Sequence, residues 1–202
     1  MDLPWGDEKT VKFVTNVGLI TSYGPNGPNI MAAEWTHQVS YSPGLIAISI
    51  GLGKTTNENI QVTREFGVSL AADDQNIIAS IAGRSNGRQV NKIAALKELG
   101  FKFYNAKKIG TLMVSGAILN IECKVINIVE VGDHTLFIGE VLEVSANPEK
   151  HPLVYHGLKF SKLGEQIPKS EAQEVEKIQS VIQKHAKLEM PKTQAKDSGK
   201  AR

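Results

Sequence analysis

The sequence predicts a mainly β protein: an antiparallel barrel with short helical inserts, in one domain, followed by an amphipathic helix. Three observations carry this expectation. Short β-branched runs broken by Gly, Pro and Asn fill the chain from Val11 to about Phe160. Two of these runs form a long pair about the Gly132-Asp133 turn, and the first of them changes its apolar parity part-way. Helical periodicity is confined to three inserts and one segment beyond the barrel.

In chain order, "VKFVTNV" and "GLITSYG" read as strands, and "PNGPN", Pro25 to Asn29, as a turn. "NIMAAEWTHQVSYSPG", Asn29 to Gly44, reads as a strand leaving that turn, and "GLIAISIG" and "FGVSLA" are further strands. In "GAILNIECKVINIVEV", Leu119, Ile121, Cys123 and Val125 share one face, opposite Asn120, Glu122 and Lys124. The apolar positions then move to Ile126 and Ile128, which predicts a bulge or bend near Val125. Long bent antiparallel strands of this kind close into barrels.

The helical inserts carry their own punctuation. Thr55 and Glu58 form a capping box ahead of "TNENIQVTREF", and Asp73 and Asp74 read as first-turn acids of "DDQNIIASIAG". "NKIAALKELG" places Ile93, Leu96 and Leu99 on one face and ends at Gly100, a C-cap. Ser170 and Gln173 form a second box before the stripe Val175, Ile178, Val181 and Ile182. That stripe needs cover, either from a partner subunit or from the chain's own barrel. "PKTQAKDSGKAR" lacks apolar periodicity and reads as a disordered tail. The expected organisation is a barrel domain over 1–165, a helix over 166–189 and a tail over 190–202.

Composition narrows the function. The 202 residues are 41% hydrophobic and 22% charged, with a net charge of +2, which is no field suited to nucleic acid. With only 6% aromatic residues and mostly apolar strands, a nucleic-acid-binding face is disfavoured. No apolar run approaches the roughly 20 residues of a membrane span. "MDLPWGDEKT" is not a secretory signal, so a cytoplasmic location is expected. The single cysteine, Cys123, excludes an internal disulfide and reads as an inert core thiol. His37, His151 and His185 form no cluster, and no metal is expected.

"IGLGKTTNENIQ", Ile50 to Gln61, looks like a phosphate loop but fails both nucleotide patterns. A P-loop needs glycine where Ile48 stands, and a dinucleotide loop needs it where Thr56 stands. The simpler reading is a helix start, whose spare N–H groups also attract anions. The Asn29–Gly44 segment is more telling. Small residues mixed with Trp35, Thr36, His37, Gln38 and Ser40 break the alternation of a core strand. A flat aromatic ligand gives a physical reason: Ala32 and Ala33 admit a ring edge, while hydroxyls and N–H groups satisfy its polar rim.

Five blocks in this order, "NIMAAEW" with "VSYSP", "KTTNENI", "SNGRQVNK", "GDHTLFIGEV" and "PLVYHG", resemble the flavin reductase-like family over about Thr10 to Gly164. The resemblance implies an FMN-binding split barrel, antiparallel and Greek-key-like. It implies FMN in preference to FAD, NADH or NADPH as transient co-substrate, and electrons leaving to free flavin, ferric iron or a protein acceptor. A homodimer without nucleic-acid or membrane partners is expected. By position, Asn29, Ile30, Met31, Ala32, Ala33, Trp35 and Ser40 would meet the ring or its chain. Gly51, Lys54, Thr55, Thr56 and Asn59 would form the adjoining wall, Arg88 and Lys92 would neutralise the phosphate, and Ser85 is a further cofactor-binding candidate. His134 and His156 become nicotinamide-side candidates.

Departures from the family pattern stand at Leu158 and Phe160, where many relatives have glycine or arginine and then tyrosine, and at Asn91, a frequent aspartate. Read without the motif, Trp35 and Met31 are packing residues, and Arg88 and Lys92 an exposed turn and a helix surface. Three alternatives stay open: an electron carrier without a productive nicotinamide site, a cofactor-free nucleic-acid-binding barrel, and a structural dimer module.

Overall fold

The computed structural model describes residues 2–170 and 174–186. Two compact units divide the chain, Met1–Leu163 and Gly164–Arg202.

The first unit is built on a seven-stranded antiparallel sheet. Its strands are β2 (Gly18–Ser22), β3 (Asn29–Ala33), β4 (Thr36–Tyr41), β5 (Gly44–Gly51), β6 (Glu65–Leu70), β9 (Leu119–Val131) and β10 (His134–Ala146), in the order β3-β2-β6-β9-β10-β5-β4. A three-stranded sheet joins β1 (Thr15–Asn16), β11 (Val154–His156) and β12 (Lys159–Ser161), and a hairpin pairs β7 (Phe103–Asn105) with β8 (Leu112–Val114). Three helices are inserted: α1 (Thr55–Thr63), α2 (Asn76–Arg84) and α3 (Lys92–Glu98).

The parity change in the long strand is a bulge. Against β10, the register steps from Asn127 opposite Ile138 to Val125 opposite Gly139, so Ile126 is the extra residue. The step bends the hairpin and lets both halves of β9 present apolar side chains to one interior. Gly139 is required there, since a Cβ on it would lie 2.6 Å from Phe66 Cζ and 2.8 Å from Cys123 Cβ. Phe66 and Phe137, both fully buried, fill that interior with Ile20, Ile48, Ile50 and Val68. A second core lies under the helices, where Ile78 and Ala82 of α2 and Ile93 and Leu96 of α3 pack on Leu19 and Ile30.

The segment expected to be one strand is two. β3 and β4 are consecutive in the chain yet stand at opposite ends of the sheet order. Between them, the Trp35 carbonyl accepts from the Ser49 N–H of β5 at 3.0 Å, and the Thr36 hydroxyl donates to the Ala33 carbonyl at 3.1 Å. The mixed composition of Glu34 to Thr36 is therefore that of a corner between strands.

Other local expectations are corrected as well. In "VKFVTNV" only Thr15 and Asn16 pair as a strand, and Val11 and Lys12 belong to a 3-10 turn, Thr10–Lys12. Thr55 does not cap α1: the cap position is Lys54, without a side-chain cap bond. Glu58 turns instead to Arg88 and to the Asn26 amide. The insert stops at Thr63 because Arg64 takes a left-handed φ of 59°, and Glu65 and Phe66 enter β6. Asp73 and Asp74 lie ahead of α2, whose cap is Gln75, and pair with Lys162 and Lys150. In α3, Ile93 and Leu96 are buried but Leu99 is exposed at the C-cap, followed by Gly100 at φ +90°. Asn91 is a true N-cap, accepting from the Ala94 N–H at 3.0 Å.

The second unit contains α4, Val175–Lys184, which starts later than the expected helix over 166–189 and buries none of its residues. The Ser170–Gln173 box and the tail over 190–202 lie outside the described residues, except Ser170 itself.

Candidate functional site

A cavity of about 870 Å³ opens beside β3. Its floor is Met31, Ala32 and Ala33, where the chain leaves the tight turn, and the side chain of Trp35 follows at the corner. α2 forms an adjoining wall through Ala79, Ser80 and Gly83. Gly83 stands beside Ala32, where a Cβ on it would make an ordinary contact with Ala32 Cβ at 3.5 Å. Ser49, Gly51 and Lys54 supply a third side from the end of β5. The hairpin tip Asp133-His134 stands next to them, held by the Leu52 N–H donating to the Asp133 carbonyl at 3.0 Å.

One end of the site is polar and closely tied. Asn29 Nδ2 donates to Thr56 Oγ1 at 2.8 Å, and the buried Thr55 Oγ1 has no partner among the described residues. Gly87 lies against both, since a Cβ on it would be 2.5 Å from Asn29 Oδ1 and 3.0 Å from Thr55 Oγ1. Lys92 is buried, its ammonium donating to the Ala82 carbonyl at 3.1 Å. Burial, and then the charge of Lys54, push its pKa down to about 8. Arg88 binds the same loop from outside, donating to the Gly53 carbonyl at 2.9 Å and pairing with Glu58.

The other end mixes aromatic and charged groups. Trp5, Glu34, Arg84, Tyr155, Leu158 and Phe160 line it. Trp5 Nε1 donates to Glu34 Oε1 at 3.0 Å, and the Tyr155 and Phe160 rings lie 5.6 Å apart. Burial, then the charge of Glu34, raise the Tyr155 hydroxyl above the usual tyrosine value, with Arg84 pulling the other way.

The structure thus brings Met31, Ala32, Ala33, Trp35, Gly51, Lys54 and His134 onto the cavity. Asn29, Thr55 and Thr56 stand buried beside it, and Asn59 is spent on structure, donating to Ser22 Oγ and the Gly27 carbonyl. Ile30 points into the helical-side core, and Ser85 is the C-cap of α2. Ser40 follows the β4 bulge, His156 is exposed on β11, and neither lines the cavity.

Residues 10–164 match the family described as the flavin reductase like domain. The chain belongs to the flavin reductase-like family. An Archaeoglobus fulgidus protein described only as uncharacterized is 34% identical over 60% of this chain and 67% of its own length. A Streptomyces globisporus NADH-dependent FAD reductase is 27% identical over 73% of this chain and 79% of its own length. Among solved structures, the flavin reductase PheA2 in its native state superposes with a TM-score of 0.68 at 28% identity, covering 82% of this chain and all of that one. The fold is accordingly the split barrel of these reductases: mainly β, antiparallel and sparing in helix.

Within this family member, sequence reading missed Trp5, Glu34, Arg84 and Tyr155. Arg84 had a signal, because the "GR" that closes α2 precedes the "GR" of Arg88 by four residues. Trp5 had a fainter one, the turn-forming "PWGD".

Proposed function

We propose that the chain is an FMN-binding, NAD(P)H-dependent flavin reductase whose β3 cavity holds the flavin. The observation that carries this reading is a large apolar cavity joined at one end to the N-terminus of α1, where a buried hydroxyl beside Lys54 lacks a partner among the described residues. A flat tricycle with an anionic chain has that division of chemistry: apolar faces, a polar rim and a phosphate. The residues present fit it. Met31 to Ala33 offer backbone and small side chains to the ring, Trp35 offers an aromatic edge, and Asn29, Thr55 and Thr56 offer groups to the polar chain.

Lys54, on the cavity wall at that end, suits the phosphate more directly than Arg88, which is engaged with Glu58. Arg88 and Lys92 then act one step back, securing the Gly53 loop and the end of α2. When bound, the flavin supplies the redox chemistry between a reduced nicotinamide and an acceptor, and the protein supplies binding, orientation and shielding. No side chain has to serve as nucleophile or general base. FMN, a cytoplasmic location, assembly as a homodimer, and an acceptor among free flavin, ferric iron or a partner protein complete the reading.

Titration of the purified chain with FMN tests it. Saturable quenching of flavin fluorescence, followed by anaerobic loss of the yellow absorbance on adding NADH or NADPH, is expected. Absence of quenching overturns the flavin site. Quenching without bleaching by either nucleotide leaves an electron carrier in place of a reductase.

A further inference from the structure

We infer that the Pro4–Asp7 turn is a substrate-binding element, in which Trp5 and Leu158 grip the nicotinamide ring of the exchanged dinucleotide. The inference rests on the flavin reading above. Its first support is that the turn is built. The Asp7 N–H donates to the Pro4 carbonyl at 3.2 Å, and Gly6 takes φ +86°, as the third position of a type II turn requires. The Thr10 hydroxyl reaches the Pro4 and Asp7 carbonyls, each at 3.0 Å. Trp5 occupies the corner, and its indole N–H is fixed on Glu34, next in the chain to the cavity floor at Ala33.

The second support is independent. Leu158 has φ +62° after Gly157 at φ +57°, so the two-residue hairpin between β11 and β12 holds a branched side chain in the left-handed region. Glycine or asparagine would fit that position without strain, and such strain gathers where a ligand is clamped. Leu158 lines the cavity, and its Cδ1 lies 4.0 Å from where a Cβ on Gly6 would stand. The turn and the strained hairpin therefore meet at the cavity mouth.

Exposure assigns the ligand. Trp5 is 69% exposed, more than Trp35 at 46%, whereas Ala33 and Thr55 on the floor side are below 10%. Open apolar surface suits a ring that enters and leaves at each turnover, and enclosed surface suits one that is retained. An indole face is a platform for a flat heterocycle, best when its own N–H is already satisfied.

The test uses the FMN-loaded full chain. Trp5→Ala should raise the KM for NADH or NADPH about tenfold, with kcat and the Kd for FMN each within about twofold of wild type. Trp5→Phe should recover most of the loss. Leu158→Gly should raise the same KM without lowering Tm, because strain is relieved as the contact is lost. An unchanged KM in Trp5→Ala with FMN binding intact overturns the inference and leaves the flavin reading standing. FMN affinity that falls in step with the KM also overturns it, by assigning Trp5 to the flavin. If wild type takes up no FMN, the underlying reading itself has failed.

Discussion

The Trp35 indole and the His134 imidazole lie 4.7 Å apart between centroids, with their planes inclined at 47°. They come from distant parts of the chain, the corner after β3 and the start of β10. Asp133 fixes the imidazole further, its carboxylate 2.6 Å from His134 Nδ1. That hydrogen bond, then the charge of His134, keep the Asp133 carboxyl below the usual carboxylate range. The carboxylate is thus charged at neutral pH, and its charge is lost only as pH falls through that lowered value.

From this pair, His134→Ala should lower kcat/KM for the nicotinamide about tenfold, equivalent to roughly 1.4 kcal/mol. FMN quenching should stay within about twofold. Steady-state kinetics beside a fluorescence titration decide it, and equal losses in both would place His134 on the flavin.

Lys92 gives a pH prediction. Its folded pKa of about 8 lies below the 10.5 of a free lysine, so between those values the unfolded chain binds more protons. Stability from this group therefore rises with pH across that window, and the charged form is the costly one below it. The gap corresponds to about 3 kcal/mol at most. Lys92→Met should be most favourable relative to wild type near pH 7 and lose its relative advantage toward pH 10.5, as read from Tm of the FMN-free proteins.

Gly139→Ala should destabilise the fold by about 2–3 kcal/mol, since the new methyl meets Phe66 and Cys123 at the bulge. Chemical denaturation should show a lower midpoint with an unchanged slope. A neutral result would mean that Phe66 can move aside.

Cys123 is fully buried, and burial, then the charge of Glu122, push its thiol up to about 12. It should resist thiol reagents at pH 8 in the native state and react at the rate of unfolding. Prompt labelling of the folded protein would contradict the burial.

Much of the barrel was legible because its signals are local. The Ile126 bulge showed as a parity change, and the Gly132-Asp133 turn as a dipeptide with a known geometry. The β3–β4 corner was not legible, since strand residues on both sides made a continuous run. Only the pairing of Trp35 with Ser49 across the sheet reveals the break. Thr55 looked like a cap because the box pattern cannot say which partner Glu58 prefers. Of the site, the β3 floor and Lys54 were readable from their motifs. Arg84 and Trp5 were not, because their place depends on segments distant in the chain meeting at the cavity, the end of α2 beside Ala32 and the Trp5 indole on Glu34.

The bond from Ser49 to the Trp35 carbonyl has a wider consequence. That single short corner joins both margins of the sheet and borders the cavity, so a molecule seated there would act as a keystone. Amide protons on β3 and on β5, far apart in sheet order, should slow their exchange with solvent together when it is seated and quicken together when it departs.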